Sequence, residues 1–298
     1  MIDASPLTTA AAARRPPPPK RGVKRWTVGN IGLYAAVVAL SVALLFPIYV
    51  VFLLAFVPDH YTIFSFVPPL IPPALTLTNL ETGLTVSTAP FLPSMYFSLE
   101  IAFLVGAIAL AIGIPTAYGL SRLPRGIAYG VTTVMFIVNM LPSIVIAIPI
   151  TVPFIKAGLY GSALGIALTQ ELLALPVTVF LLVGAFQGLP KDLENQARVD
   201  GAGRLRAVFG SLVPLIRPAL AASFLLAWMF SWDESTFALI LYSNNPTLPV
   251  EIFLTVTGRG NPLVGVAFSL IATVPVIVLT VFLQKYLKGE DFTVGVRG

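Results

Sequence analysis

The stretch Pro190 to Pro214, PKDLENQARVDGAGRLRAVFGSLVP, is a polar island in a very apolar chain and is too charged to lie inside a bilayer. It reads as two short helices joined at a glycine. Pro190 suits a first helical position, and Asp192 and Glu194 are favourable in a first turn. Gly201 is the residue type that accepts the left-handed conformation ending a helix. Beyond it, Leu205, Val208, Phe209 and Leu212 recur at helical spacing. Such a helix-glycine-helix hairpin, borne at a membrane surface, is where the protein is expected to meet a soluble partner.

The rest of the chain explains why a membrane is involved. Hydrophobic residues make up 57% of the sequence and charged residues 10%, and the mean hydropathy is +0.91. That composition cannot cover a soluble globule, so lipid must solvate most of it. A hydrocarbon core of about 30 Å needs about 20 helical residues. Apolar windows of that length lie at about 31–57, 94–120, 128–151, 162–186, 217–241 and 263–286, which predicts an all-α membrane protein with six transmembrane helices.

Cations near span ends are retained on the cytoplasmic side. With the N-terminus inside, every Lys and Arg except Lys156 and Arg259 falls in an inside segment or at its edge. Both termini and the hairpin are therefore expected in the cytoplasm. The topology rule accounts for nearly all of the basic charge, which leaves no case for nucleic acid as a partner.

This organisation divides the chain into a cytoplasmic, basic, Pro-rich tail over 1–30, a six-helix domain over 31–286 and a cytoplasmic tail over 287–298. The hairpin occupies the loop 187–216, and outside loops run over 58–93 and 243–262. The first span is longer than a signal-peptide core and reads as uncleaved. In the second outside loop, an apolar stretch from Leu248 to Val256 sits between SNNP and GRGNP turn signals. Two readings fit it: folding back into the mouth of a cavity, or lying as an interfacial helix against its neighbours. Prolines at positions 47, 115, 142, 149, 176 and 275 allow kinks within spans. Gly106 and Gly113 are among the small residues that allow close helix packing.

Several chemistries are excluded. No Gly-Lys-Ser or Gly-Lys-Thr occurs, so the chain carries no phosphate-binding loop of that kind. One histidine (His60) and no cysteine argue against a transition-metal site and against disulfides. Neither Gly-x-Ser-x-Gly nor His-Glu-x-x-His is present, so no enzyme is expected, and no cofactor is expected on this chain.

Ionisable residues within spans are costly and mark functional candidates; here they are Glu100, Glu171, Asp233 and Glu234. The last two lie in FSWDEST beside Trp228 and Trp232. Aromatic rings stack on sugar C–H faces while carboxylates accept hydroxyl hydrogen bonds. Asn139, Glu171, Trp232, Asp233 and Glu234 are accordingly candidates for a substrate pathway. The alternative is that the acids line a wet subunit interface and Trp232 anchors the membrane boundary.

The hairpin resembles the cytoplasmic loop of binding-protein-dependent ABC importer permeases. That loop reads Glu-Ala-Ala, three residues, Gly, nine residues, Ile-x-Leu-Pro. Aligned here are Asn195, Gln196 and Ala197, then Gly201, then Ser211, Leu212, Val213 and Pro214. Ala197, Gly201 and Pro214 match, as does the triplet Asp200-Gly201-Ala202, whereas Asn195, Gln196, Ser211 and Val213 depart. Glu194 stands one residue before the motif's glutamate. Along nearly the whole chain the sequence is similar to the carbohydrate branch of these permeases, of the maltose permease G type. Met140-Leu141-Pro142, Phe230-Ser231-Trp232-Asp233 and Gln284-Lys285-Tyr286 are among the pieces whose order carries that likeness.

The resemblance implies a type I ABC importer permease fold in the cell membrane, with a sugar or oligosaccharide as solute. Implied partners are a second homologous permease, two cytoplasmic ATPase subunits that hold ATP and Mg, and an extracellular solute-binding protein. It also implies that Leu193, Glu194, Asn195, Ala197, Arg198, Asp200, Gly201, Ala202, Phe209 and Pro214 couple to the ATPases, and that the tail LKGEDFTVGVRG makes a second contact with them. Two alternatives stand beside it. One is an ABC permease for a polyamine, glycerol phosphate or peptide, and the other is an ion-driven secondary transporter.

Overall fold

The computed structural model describes residues 28–58, 74–85, 91–190, 192–242, 244–259 and 261–287. The tail before residue 28, the tail from 288, and His60 lie outside the described residues. The chain divides into two units, residues 1–47 and 48–298. In the first unit the described part is helical and its apolar side chains are exposed from Leu33 to Phe46, as suits a lipid-facing segment.

The described residues form helices and no strands. In chain order these are α1 (Val28–Phe56), α2 (Thr78–Thr85), α3 (Phe91–Arg122), α4 (Arg125–Asn139), α5 (Ser143–Lys156) and α6 (Ala163–Gln187). They continue as α7 (Asp192–Val199), α8 (Arg204–Ala207), α9 (Val213–Leu215), α10 (Arg217–Asp233), α11 (Thr236–Leu241), α12 (Leu248–Leu254) and α13 (Pro262–Leu287). Four helices are each long and apolar enough to cross a membrane, and two bent pairs bring the total to six when each is one span.

Two expected spans are not single helices. The window 128–151 is broken into α4 and α5, which meet at 86°. Pro142 lacks an N–H and disfavours helical backbone at Leu141, so the helix stops at Met140 and restarts at Ser143. The window 217–241 is interrupted after Asp233, where Glu234 takes an extended conformation (ψ 125°) before α11 begins. With 17 residues, α10 alone spans only about 25 Å at 1.5 Å per residue.

The core is built on α3, α6 and α10, each of which packs against the other two. Small residues permit that approach. A side-chain carbon at Gly113 would sit 2.7 Å from the Thr178 methyl of α6, and one at Gly106 would sit 2.5 Å from the Phe224 ring of α10. Around these contacts Ile101, Val105, Ala109, Ile166, Ala167 and Ala227 are fully enclosed. Without a hydrophobic gradient in lipid, such close van der Waals fit is what holds helices together.

The apolar stretch between the two turn signals forms the short helix α12. α12 packs on α3 and α13, and the Leu248 N–H donates to Ser98 Oγ of α3 at 2.7 Å. Gly113→Leu is expected to destabilise the detergent-solubilised chain by about 1–3 kcal/mol through overpacking. At Gly119 an added carbon meets nothing within 4 Å, and the same change should alter the thermal midpoint little.

Candidate functional site

The hairpin takes the predicted form. α7 runs from Asp192, two residues beyond Pro190, whose carbonyl accepts from the Leu193 N–H at 3.3 Å. At the other end the Ala202 N–H donates to the Ala197 carbonyl (3.0 Å) and the Gly201 N–H to the Arg198 carbonyl (3.1 Å). That pair of bonds is a Schellman stop, and it needs a left-handed residue between them. Gly201 supplies it with φ +86°. No atom lies within 4 Å of where its Cβ would be, so the requirement is conformational rather than steric.

The second arm differs from expectation. Pro214 has no N–H to donate one turn back, and before it the helix widens to a π-turn over Val208–Leu212. An 83° bend then leads into α10. The four apolar residues that helical spacing placed on one stripe divide between two environments. Val208 and Leu212 are buried against Leu182, Val183 and Phe186 of α6 and Ala117 and Leu120 of α3. Leu205 and Phe209 face outward, 75% and 50% exposed, and Val199 is 87% exposed.

The elbow is thus two-sided. Outward lie Asn195, Arg198 and Asp200 together with Val199, Leu205 and Phe209; Leu193, Ala197, Ala202 and Pro214 are half-buried. Inward points Glu194, whose Oε2 lies 2.8 Å from Arg122 Nη2 and whose Oε1 accepts from the Tyr118 hydroxyl at 2.7 Å. The Arg122 cation also lies over the Tyr118 ring, 5.2 Å from its centroid. Neither Tyr118 nor Arg122 was a sequence candidate, although their i, i+4 spacing puts them on one face of α3.

A second constellation lies at the far end of α10. A cavity of about 620 Å³ is lined by Trp232, Asp233, Glu234, Ser143, Ser235 and Thr236 with apolar neighbours including Leu173 and Met229. An adjoining cavity of about 510 Å³ shares Trp232, Asp233 and Ser235 and is closed by Leu248, Pro249 and Ile252 of α12 and Ser269 and Thr273 of α13. Asp233 is exposed and lies on both cavities.

The two neighbouring acids do different work. Glu234 is buried and its carboxylate accepts from the Phe237 N–H (2.8 Å), the Ala238 N–H (3.3 Å) and Gln170 Nε2 (3.1 Å). Ser231 Oγ donates to Gln170 Oε1 at 2.6 Å. Glu234 therefore caps α11 where the span breaks, satisfying N–H groups that hydrocarbon cannot solvate. Gln170 is the partner that sequence reasoning missed, masked by its more conspicuous neighbour Glu171.

Of the remaining candidates, Trp232 stacks on Trp228 (5.0 Å, 9°) and donates from Nε1 to the Ala272 carbonyl at 3.2 Å. It is buried in the protein. Asn139 donates to the carbonyl of Leu173, a cavity-lining residue, at 3.2 Å, and stands behind the wall. Glu171 is buried beside the Ala109 backbone of α3 and lines neither cavity. The structure brings Trp232, Asp233 and Glu234 to one place and leaves Glu171 and Asn139 outside it.

Residues 109–289 match the family model described as "Binding-protein-dependent transport system inner membrane component". The chain belongs to this family. The permease is 30% identical over 230 residues to the sulfoquinovosyl glycerol transport system permease protein SmoH of Agrobacterium fabrum, covering 76% of this chain and 80% of that protein. It is 27% identical over 254 residues to the trehalose/maltose transport system permease protein MalG of Thermococcus litoralis, covering 84% and 90%. A chain in the crystal structure of a bacterial ABC transporter that imports the acidic polysaccharide alginate has the same fold, with a TM-score of 0.71 at 20% identity, covering 89% of the permease and 100% of that chain. The permease is accordingly a multi-pass inner-membrane component of a binding-protein-dependent transport system, with the ABC importer permease fold.

Substitutions at Gly201, Glu234 and Asp233 test the geometry. Gly201→Val forces a β-branched residue into positive φ and is expected to unwind the hairpin, seen as increased protease cleavage between 199 and 206, whereas Gly201→Asn should leave it protected. Glu234→Ala leaves buried N–H groups without an acceptor and should cost about 2–4 kcal/mol of stability in thermal unfolding, with Asp233→Ala close to neutral.

Proposed function

We propose that the permease is one of two homologous membrane subunits of an ATP-driven importer for a sugar or oligosaccharide. Its orientation follows the positive charge: both termini and the loop 187–216 in the cytoplasm, and the loops 58–93 and 243–262 outside. The observation that carries the reading is the elbow, which stops at Gly201 and holds Val199, Leu205 and Phe209 out into water. An exposed apolar group rimmed by Asn195, Arg198 and Asp200 has the character of a protein contact. One of two cytoplasmic ATPase subunits, which bind the ATP and Mg, docks there, and this chain holds no cofactor and catalyses no reaction of its own.

The solute passes beside Asp233. Carbohydrate names among the relatives support a sugar, and so does the cavity chemistry, in which a solvent-facing carboxylate and the Ser143, Ser235 and Thr236 hydroxyls meet apolar walls. An extracellular binding protein delivers the solute to the outer side, where α12 closes the second cavity.

Purification of the permease from its native membrane is expected to bring down an ATPase subunit and a second permease. A permease that transports without an ATPase would make it an ion-driven carrier instead. The cognate solute-binding protein is expected to bind a sugar or oligosaccharide; selective binding of a polyamine, glycerol phosphate or peptide would overturn the sugar assignment. Asp233→Ala is expected to reduce uptake by about tenfold, the loss of one charge-assisted hydrogen bond, with the complex intact. Unchanged uptake across solute concentrations would remove Asp233 from the pathway.

A further inference from the structure

We infer that α3 is the rod that carries movement of the elbow to the solute cavity, pinned at one end by Glu194 and at the other by Ser98. The inference rests on the coupling role proposed above, and it gives Glu194 a task different from the outward-facing residues around it. The Glu194 side chain is only 12% exposed, and both of its oxygens are engaged by α3, one by Arg122 and one by Tyr118. It has turned away from any docked subunit and acts as a positioning residue.

The far pin lies about 30 Å up the same helix, 20 residues from Tyr118 to Ser98 at 1.5 Å each. There Ser98 Oγ receives the Leu248 N–H at the start of α12, and Leu248, Pro249 and Ile252 are the wall of the cavity that contains Asp233. Both pins are polar and directional, whereas the contacts between them are not. The elbow rests on an apolar pad in which Leu193, Val208 and Leu212 meet Ala117, Leu120 and Phe186. An apolar pad alone lets one element slide on another, but an ion pair together with the Tyr118 hydrogen bond fixes register. Tyr118 also meets the Phe186 ring of α6 edge-on at 5.8 Å, so the same pin engages both central spans.

The chain has no cysteine, which allows a single spin label at Phe253→Cys, an exposed position on α12. The test uses the assembled complex with its ATPase subunits in liposomes and compares the label's spectrum before and after ATP with vanadate, so no solute is needed. In the otherwise unaltered complex the label is expected to move. Glu194→Gln and, separately, Ser98→Ala are expected to reduce that displacement by at least about threefold, the low end of coupling between residues in contact, while ATPase subunits remain bound and hydrolyse ATP. Tyr118→Phe, which removes one hydrogen bond and keeps the ion pair, should give a smaller loss. Exchanging the charges as Glu194→Arg with Arg122→Glu should restore most of it. Full displacement in both Glu194→Gln and Ser98→Ala, with ATPase bound, overturns the rod and leaves the docking reading standing. An unaltered complex that contains no ATPase overturns the docking reading and the rod with it.

Discussion

A helix that ends inside hydrocarbon leaves backbone N–H and C=O groups that no water reaches, and the protein itself must answer them. That demand separates the breaks in this permease into two kinds. At the membrane end of α10 the answer is a carboxylate: Glu234 takes the N–H groups of Phe237 and Ala238 and is itself held by Gln170. At the elbow the chain is polar enough to stand in water, and the stop is made by backbone alone around Gly201. The first kind of break builds a cavity wall within the bundle. The second projects a turn out of it.

The elbow is useful because its two sides do different things. Val208 and Leu212 bury against α3 and α6 and fix where it sits, while Val199, Leu205 and Phe209 remain uncovered. Val208 and Leu212 lie one turn apart on the side that meets the spans, and Leu205 and Phe209 lie one turn apart on the uncovered side. Glu194 then adds a polar pin to the apolar seat. One face is anchored to the spans, and the other is left for a partner.

Much of this was legible in the sequence where a single residue type has few options. Gly201 after Arg198-Val199-Asp200 marked the helix stop, and the long apolar windows marked α1, α3, α6 and α13 within a few residues. The windows 128–151 and 217–241 were harder, because hydropathy records that a segment is apolar and not whether its backbone is continuous. Pro142 signalled a kink, yet the 86° turn depends on what α4 and α5 pack against. Asp233 and Glu234 looked like a pair. Their divergence arises from Gln170, 64 residues from Glu234 in sequence, which places one acid in a hydrogen-bond network and leaves the other facing the cavity. Tyr118 and Arg122 were visible as an i, i+4 pair, but their partner Glu194 lies 76 residues beyond Tyr118, a distance that local patterning does not bridge.

The central claim is that the uncovered face of the elbow meets an ATP-binding subunit in the cytoplasm. Because the chain lacks cysteine, single cysteines at Val199 and Phe209 can each carry a short thiol-reactive photocrosslinker in the native membrane, and one at Leu212, out of the reagent's reach, gives the background. The account predicts adducts with the ATPase subunit from positions 199 and 209 and none from 212, which is buried. Labelling of position 199 or 209 from the outer side of intact cells, or adducts with lipid alone, would contradict it.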